Sequence, residues 1–187
     1  MMAVCLTASA FIFAQDVHFG LKAGVNVAGM NVDNEPDFNS RASFYLGGLA
    51  HIHISPHFAL QPELFYSGQG GKDGGEIVRL GYINLPVLAQ YMAGNGFRLQ
   101  TGPQLGFLVS AKDEFEGVTD DIKDNLKAID VAWTFGASYQ FPGSGLGIDA
   151  RYNIGLSNIR DDGGNNTYNR VFGLGLFYQF MNHARRR

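Results

Sequence analysis

The chain has 187 residues and a net charge of −3, enough for one domain with a sizeable core and without the basic footprint of a nucleic-acid binder. Its single cysteine, Cys5, excludes a disulfide framework and a cysteine metal site. Glycine is high at 25 residues, phenylalanine reaches 15, and charged residues make up only 17%, below the roughly 25% of ordinary soluble domains.

Residues 1–14, MMAVCLTASAFIFA, read as the apolar part of an export signal cut short at its N-terminus, with Ala14 as the last residue before cleavage. No later stretch approaches the roughly 18 apolar residues of a membrane helix. Residues 15–180 instead break into alternating segments, and 181–187 form a basic tail.

In segment 17–28, Val17, Phe19, Leu21, Ala23, Val25 and Val27 share one face, with His18, Gly20, Lys22, Gly24 and Asn26 on the other. Segment 42–54 sets Phe44, Leu46, Ala50 and Ile52 against Ser43, Tyr45, Gly47, Leu49, His51 and His53. Segment 58–68 sets Phe58, Leu60, Leu64 and Tyr66 against Gln61, Glu63 and Ser67. The pattern is least clean over 77–92, where Ile83, Leu85, Val87 and Tyr91 oppose Tyr82, Asn84 and Gln90. It sharpens again over 97–110, 128–141, 146–158 and 170–180. There the polar row contains Arg98, Gln100, Gln104, Asp130, Thr134, Asp149, Arg151, Asn153 and Gln179.

These segments match the roughly 9–11 residues with which a tilted strand crosses hydrocarbon and exceed the five or six usual in soluble sheets. Pro62, Pro86 and Pro103 each remove a ladder donor, so a bulge or irregular pairing is expected at each. Connections alternate in length: tight turns near 55–57, 93–96 and 142–145, longer loops near 30–41, 69–76, 111–127 and 159–169. Short turns therefore gather at one end and long loops at the other, the asymmetry of outer-membrane barrels.

Alternation alone does not say which row faces outward, since a soluble ligand-binding barrel has the same period with its faces exchanged. Apolar-outward is favoured by aromatics near the segment ends, among them Phe19, Phe58, Tyr91, Phe97, Phe141 and Phe180 at the short-turn end and Phe44, Tyr66 and Phe107 at the other. Glycine and charge on the opposite row suit a narrow lumen. Lys22, Arg98 and Arg151 balance Glu63, Asp130 and Asp149 there, as enclosed charges must. The expected fold is all-β: an eight-stranded antiparallel up-and-down transmembrane β-barrel of a bacterial outer membrane, in contact with its lipid and lipopolysaccharide.

The stretches FGLKAGVNVAGM (19–30), LQPELFYSGQG (60–70), YINLPVLAQY (82–91), TGPQLGFL (101–108), WTFGASYQF (133–141), DARYNIGLSNI (149–159) and GLGLFYQF (173–180) occur in an order and spacing that resemble the outer-membrane β-barrel family of Bacteroidota often called PorT-like. The resemblance implies an eight-stranded outer-membrane barrel and little about activity.

Three groups of residues remain as candidate sites. Lys22, Glu63, Arg98, Asp130, Asp149 and Arg151 form a lumen charge set that either lines a path or plugs it, and eight strands leave an interior that side chains fill. His51 and His53 share the inward row near His18 and His57; they are the weak candidates for a metal, against a hydrogen-bonded cluster at the short-turn mouth. Residues 111–126 hold six acids, read as a solvated external loop rather than a calcium site. No nucleophile–base pairing is recognisable, and no cofactor is expected. The roles in view are a non-enzymatic structural, adhesive or interaction barrel acting through its loops, a narrow porin-like channel for small polar solutes, or a barrel subunit of an envelope or secretion assembly with a protein partner.

A closed barrel resists dodecyl sulfate until heated. The unboiled protein should therefore migrate faster on gels than the boiled protein, and identical mobility would contradict barrel closure.

Overall fold

The computed structural model describes residues 16–33, 39–73, 75–161 and 165–180. The export signal expected over 1–14 and the tail at 181–187 lie outside them. The strands are β1 (Val17–Val32), β2 (Asn39–His53), β3 (Phe58–Asp73), β4 (Glu76–Met92), β5 (Phe97–Phe115), β6 (Val118–Asp121), β7 (Ile129–Gln140), β8 (Leu146–Gly155) and β9 (Thr167–Gln179), with one 3-10 turn at Lys123–Asn125.

Eight of these close a barrel. Each consecutive pair is antiparallel, and β9 returns to pair with β1 from Gly20 opposite Gln179 to Val32 opposite Thr167. The short β6 lies outside the closed ring and extends only the end of β5. Closure leaves no free sheet edge, the condition for strands to exist in hydrocarbon.

The faces follow the alternation. Leu21 is 57% exposed and Leu176 60%, whereas Lys22 is 3% and Arg151 2% exposed. The apolar row therefore covers the outside and the polar row is buried, the reverse of a water-soluble protein. The outer aromatics meet in pairs: Phe58–Tyr91 at 5.4 Å between centroids and Tyr178–Phe180 at 5.6 Å near the short turns, and Phe44–Tyr66 at 5.5 Å toward the other end. Such girdles mark the two interfaces of a membrane barrel.

Inside, small residues make room for large ones. A Cβ on Gly175 would meet the Tyr45 hydroxyl and one on Gly24 the Tyr45 ring, so this ring lies along the wall over the glycines of β1 and β9 beside it. The turn at 93–96 is tight because Gly94, Asn95 and Gly96 all adopt positive φ, at 84°, 50° and 88°.

Two expectations change, and the prolines meet theirs without a shift of register. Pro62 opposite Val87 and Phe65 opposite Asn84 keep one register, as do Pro86 opposite Gln104 and Ala89 opposite Thr101, and Pro103 pairs in line with Trp133. No bulge forms at the prolines, but each sits at a break in the pairing with one neighbour. The β2–β3 ladder skips from Leu49 opposite Glu63 to Ile52 opposite Leu60 around Pro62, β3–β4 skips the position of Pro86, and β4–β5 skips that of Pro103. This is the irregular pairing expected of a residue without a ladder donor. The register shifts lie elsewhere, between Ser40 and Tyr45 on β2 and at Gly81/Tyr82 opposite β5. The loop expected over 69–76 is mostly strand, because β3 runs to Asp73 and β4 starts at Glu76. The acidic segment is not simply a solvated loop: β5 and β6 form a hairpin turning at Glu116 and Gly117.

Arginine near the bilayer midplane of such a face costs about 2–4 kcal/mol. Leu85→Arg should therefore lower the yield of heat-modifiable protein from outer membranes, while Leu85→Phe should not; equal yields would contradict the assignment of faces.

Candidate functional site

The inward rows build a lumen in three layers. At the short-turn mouth, His51 is fully buried, with its ring edge-to-face against His53 at 4.5 Å between centroids; His53 in turn meets His18 at 5.5 Å. His57 is apart, stacked at 6.4 Å on the outer Tyr91. Among the described residues, no three histidine, cysteine or acidic side chains converge on a metal position.

The middle layer is ionic. Lys22 on β1 donates to Glu63 on β3 at 3.0 Å and lies 3.2 Å from Asp149 on β8. Arg151, two residues along β8, reaches the same two carboxylates: its Nη1 and Nη2 donate to the two Glu63 oxygens at 2.8 and 3.0 Å, and its Nε to Asp149 Oδ1 at 3.0 Å. The fork of the guanidinium matches the planar carboxylate, the strongest common form of charge-assisted hydrogen bond. Two cations and two anions thus neutralise one another where isolated charge would be prohibitive. Amides take up remaining lone pairs: Gln61 donates to Glu63 at 2.7 Å, and Gln100 donates to Asp149. The rings of Phe65 and Tyr45 lie 5.4 and 6.0 Å from the Arg151 guanidinium carbon.

Arg98 and Asp130 do not join this cluster. Arg98, one residue past the short turn on β5, donates to Gln140 and Gln179 and lies 5.9 Å from the centre of Phe177. Asp130, near the opposite end, accepts from Ser157 and Asn169, each at 2.9 Å. The expectation that Arg98 balances an acid within the lumen charge set is corrected: among the described residues no ion pair joins it to a carboxylate. Strand direction puts Arg98 and Asp130 at different depths, so an equal count of charges does not bring them into contact.

The layer toward the long loops is apolar. Met30, Val78, Leu80, Tyr82, Leu108, Ala111 and Ile159 pack together inside the barrel, with Ile122 and Leu126 against them. Segments 122–127 and 156–161 are stitched across this mouth, Lys127 N–H donating to Ile159 O at 2.8 Å and Asp161 N–H to Asn125 O at 3.0 Å. Sequence reasoning missed the layer. The row continuing past Ala28 through Met30 and Val32 was its one readable signal.

The profile of the outer membrane protein beta-barrel domain family matches residues 13–161. No curated protein matches the sequence. Among solved structures, the chain is similar to neisserial surface protein A (NspA), with 17% identity and a TM-score of 0.62 over 87% of this chain and 97% of that one. It is also similar to the attachment invasion locus protein Ail of Yersinia pestis, with 15% identity and a TM-score of 0.57 over 88% and 99% of the two chains. A second Ail structure, in complex with the heparin analogue sucrose octasulfate, matches at 14% identity and a TM-score of 0.56 over 88% and 99%. At such identities the likeness shows the fold.

Because Glu63 serves two buried cations, Glu63→Ala should lower the unfolding free energy by about 3–5 kcal/mol. Arg98→Ala, which leaves only neutral amides behind, should cost about 1 kcal/mol. Urea unfolding from lipid vesicles, followed by the fluorescence of the lone Trp133, reads both; equal costs would contradict the pairing described.

Proposed function

The chain belongs to the outer membrane protein beta-barrel domain family and resides in the bacterial outer membrane, and from that premise we propose that it is a non-enzymatic barrel acting as an attachment or interaction surface through its external end, not as a conduit. The ionic layer carries this reading. Side chains from β1, β3 and β8 meet across the lumen in one ion-paired cluster, which supports a plugged interior. A permeating solute would have to separate those pairs in a narrow space.

What remains available to a partner is the external end, with lipid and lipopolysaccharide around the wall. Residues 111–127 carry six acids against Lys112, Lys123 and Lys127. One structure of Ail holds a heparin analogue, a polyanion. The acidic hairpin of the present chain favours the opposite choice, a basic protein surface, because potentials across an interface are complementary. A stable envelope partner is compatible with this surface. Such a partner should co-purify from intact outer membranes.

Planar-bilayer recording tests the reading. The reconstituted protein should show no single-channel conductance above background, whereas discrete, reproducible openings would overturn it in favour of a narrow channel for small polar solutes.

A further inference from the structure

The apolar layer at the external mouth does not fill its space. A cavity of about 310 Å³ remains between Met30, Val78 and Leu80 on the barrel wall and Ile122, Leu126 and Ile159 from the crossing segments. That size falls at the small end of ligand pockets, which are typically apolar with a few placed polar groups. The floor is closed, because Tyr82 and Leu108 pack beneath it and are buried, with the ionic layer deeper still.

The polar group is placed by the irregularity in β5. Up to Leu108 the inward residues of β5 are even-numbered; past the register shift opposite Gly81 and Tyr82 they are odd, Ala111 and then Asp113. One extra residue on a strand exchanges its faces. The shift thus turns the Asp113 carboxylate into the cavity, where its Oδ1 is buried without a hydrogen-bond partner. Glu76 lines the same cavity, and Asp120 stands opposite Asp113 in the β5–β6 ladder. Against these acids the lining offers one guanidinium, Arg160. A buried carboxylate oxygen left unmatched is costly and is relieved by any donor that reaches it.

We propose that this cavity is a binding pocket for a small apolar amine entering from outside the cell, its hydrocarbon body against Met30, Leu80 and Ile159 and its ammonium donating to Asp113. The ligand is held and not passed on, since the floor offers no exit.

Benzylamine is a suitable probe, titrated into the barrel in lipid nanodiscs carrying methyl-13C methionine. Met30 lines the cavity, whereas Met92 lies at the far end of the barrel. Benzylamine should shift the Met30 methyl saturably and leave Met92 unmoved, and phenylacetate should bind at least about tenfold more weakly. Asp113→Asn should abolish that preference while benzyl alcohol still binds. Leu80→Trp, or Ile159→Phe on the crossing segment should the first not assemble, should abolish the Met30 shift. A stationary Met30, parallel unsaturable shifts of Met30 and Met92, equal binding of phenylacetate, or an unchanged preference in Asp113→Asn would each overturn the proposal.

Discussion

Hydrocarbon offers no hydrogen-bond partner to a peptide group, so every strand in the membrane must have both edges paired. The contact between β9 and β1 is where this chain meets that demand. Their ladder runs thirteen positions without a shift, from Gly20 opposite Gln179 to Val32 opposite Thr167. Once the ring is closed with eight strands, the interior is too narrow for anything but side chains. The inner row is then bound by two conditions at once. Its volumes must interlock, as Tyr45 does with Gly175, and its charges must cancel.

The lumen answers those conditions differently at each depth. Histidine rings pack edge to face at the short-turn mouth, ions pair in the middle, and apolar side chains take over toward the outside. The middle layer is the most constrained. Glu63 and Asp149 each face both Lys22 and Arg151, so none of the four can be removed without leaving the others unbalanced. A rigid, blocked centre leaves the ends of the barrel for interaction, and the external end is the one with crossing segments, a cavity and an acidic hairpin.

Much of this was legible in the sequence because strand periodicity is a local property. Which residues share a row with Leu21 or with Lys22 follows from parity, and the tight turns announce themselves by glycine, asparagine and serine. What was not legible depends on neighbours. The three prolines were legible as breaks in pairing, but not that the flanking pairs hold one register across each break. The shift in β5 has no proline or turn residue to announce it, and it alone decides that Asp113 points inward rather than outward. Charge balance was a count over the chain, while pairing depends on depth. Arg98 is the second residue of β5, opposite Ser138, and Asp130 lies at the other end of β7, opposite Gly106, so their equality in number produced no contact. The loops were overestimated because hydrophilic residues at 69–76 and 111–121 still form strands when a paired neighbour continues beyond the bilayer.

Leucine divides cleanly between the two rows and so reports directly on which one touches lipid. Leu21, Leu64, Leu174 and Leu176 face outward, whereas Leu49, Leu80, Leu88 and Leu108 are buried. In nanodiscs, nuclear Overhauser effects between lipid methylene protons and leucine methyls should appear for the first four and be absent for the second four. The reverse pattern, or equal effects in both groups, would contradict a barrel with its apolar row in the membrane and its charges enclosed.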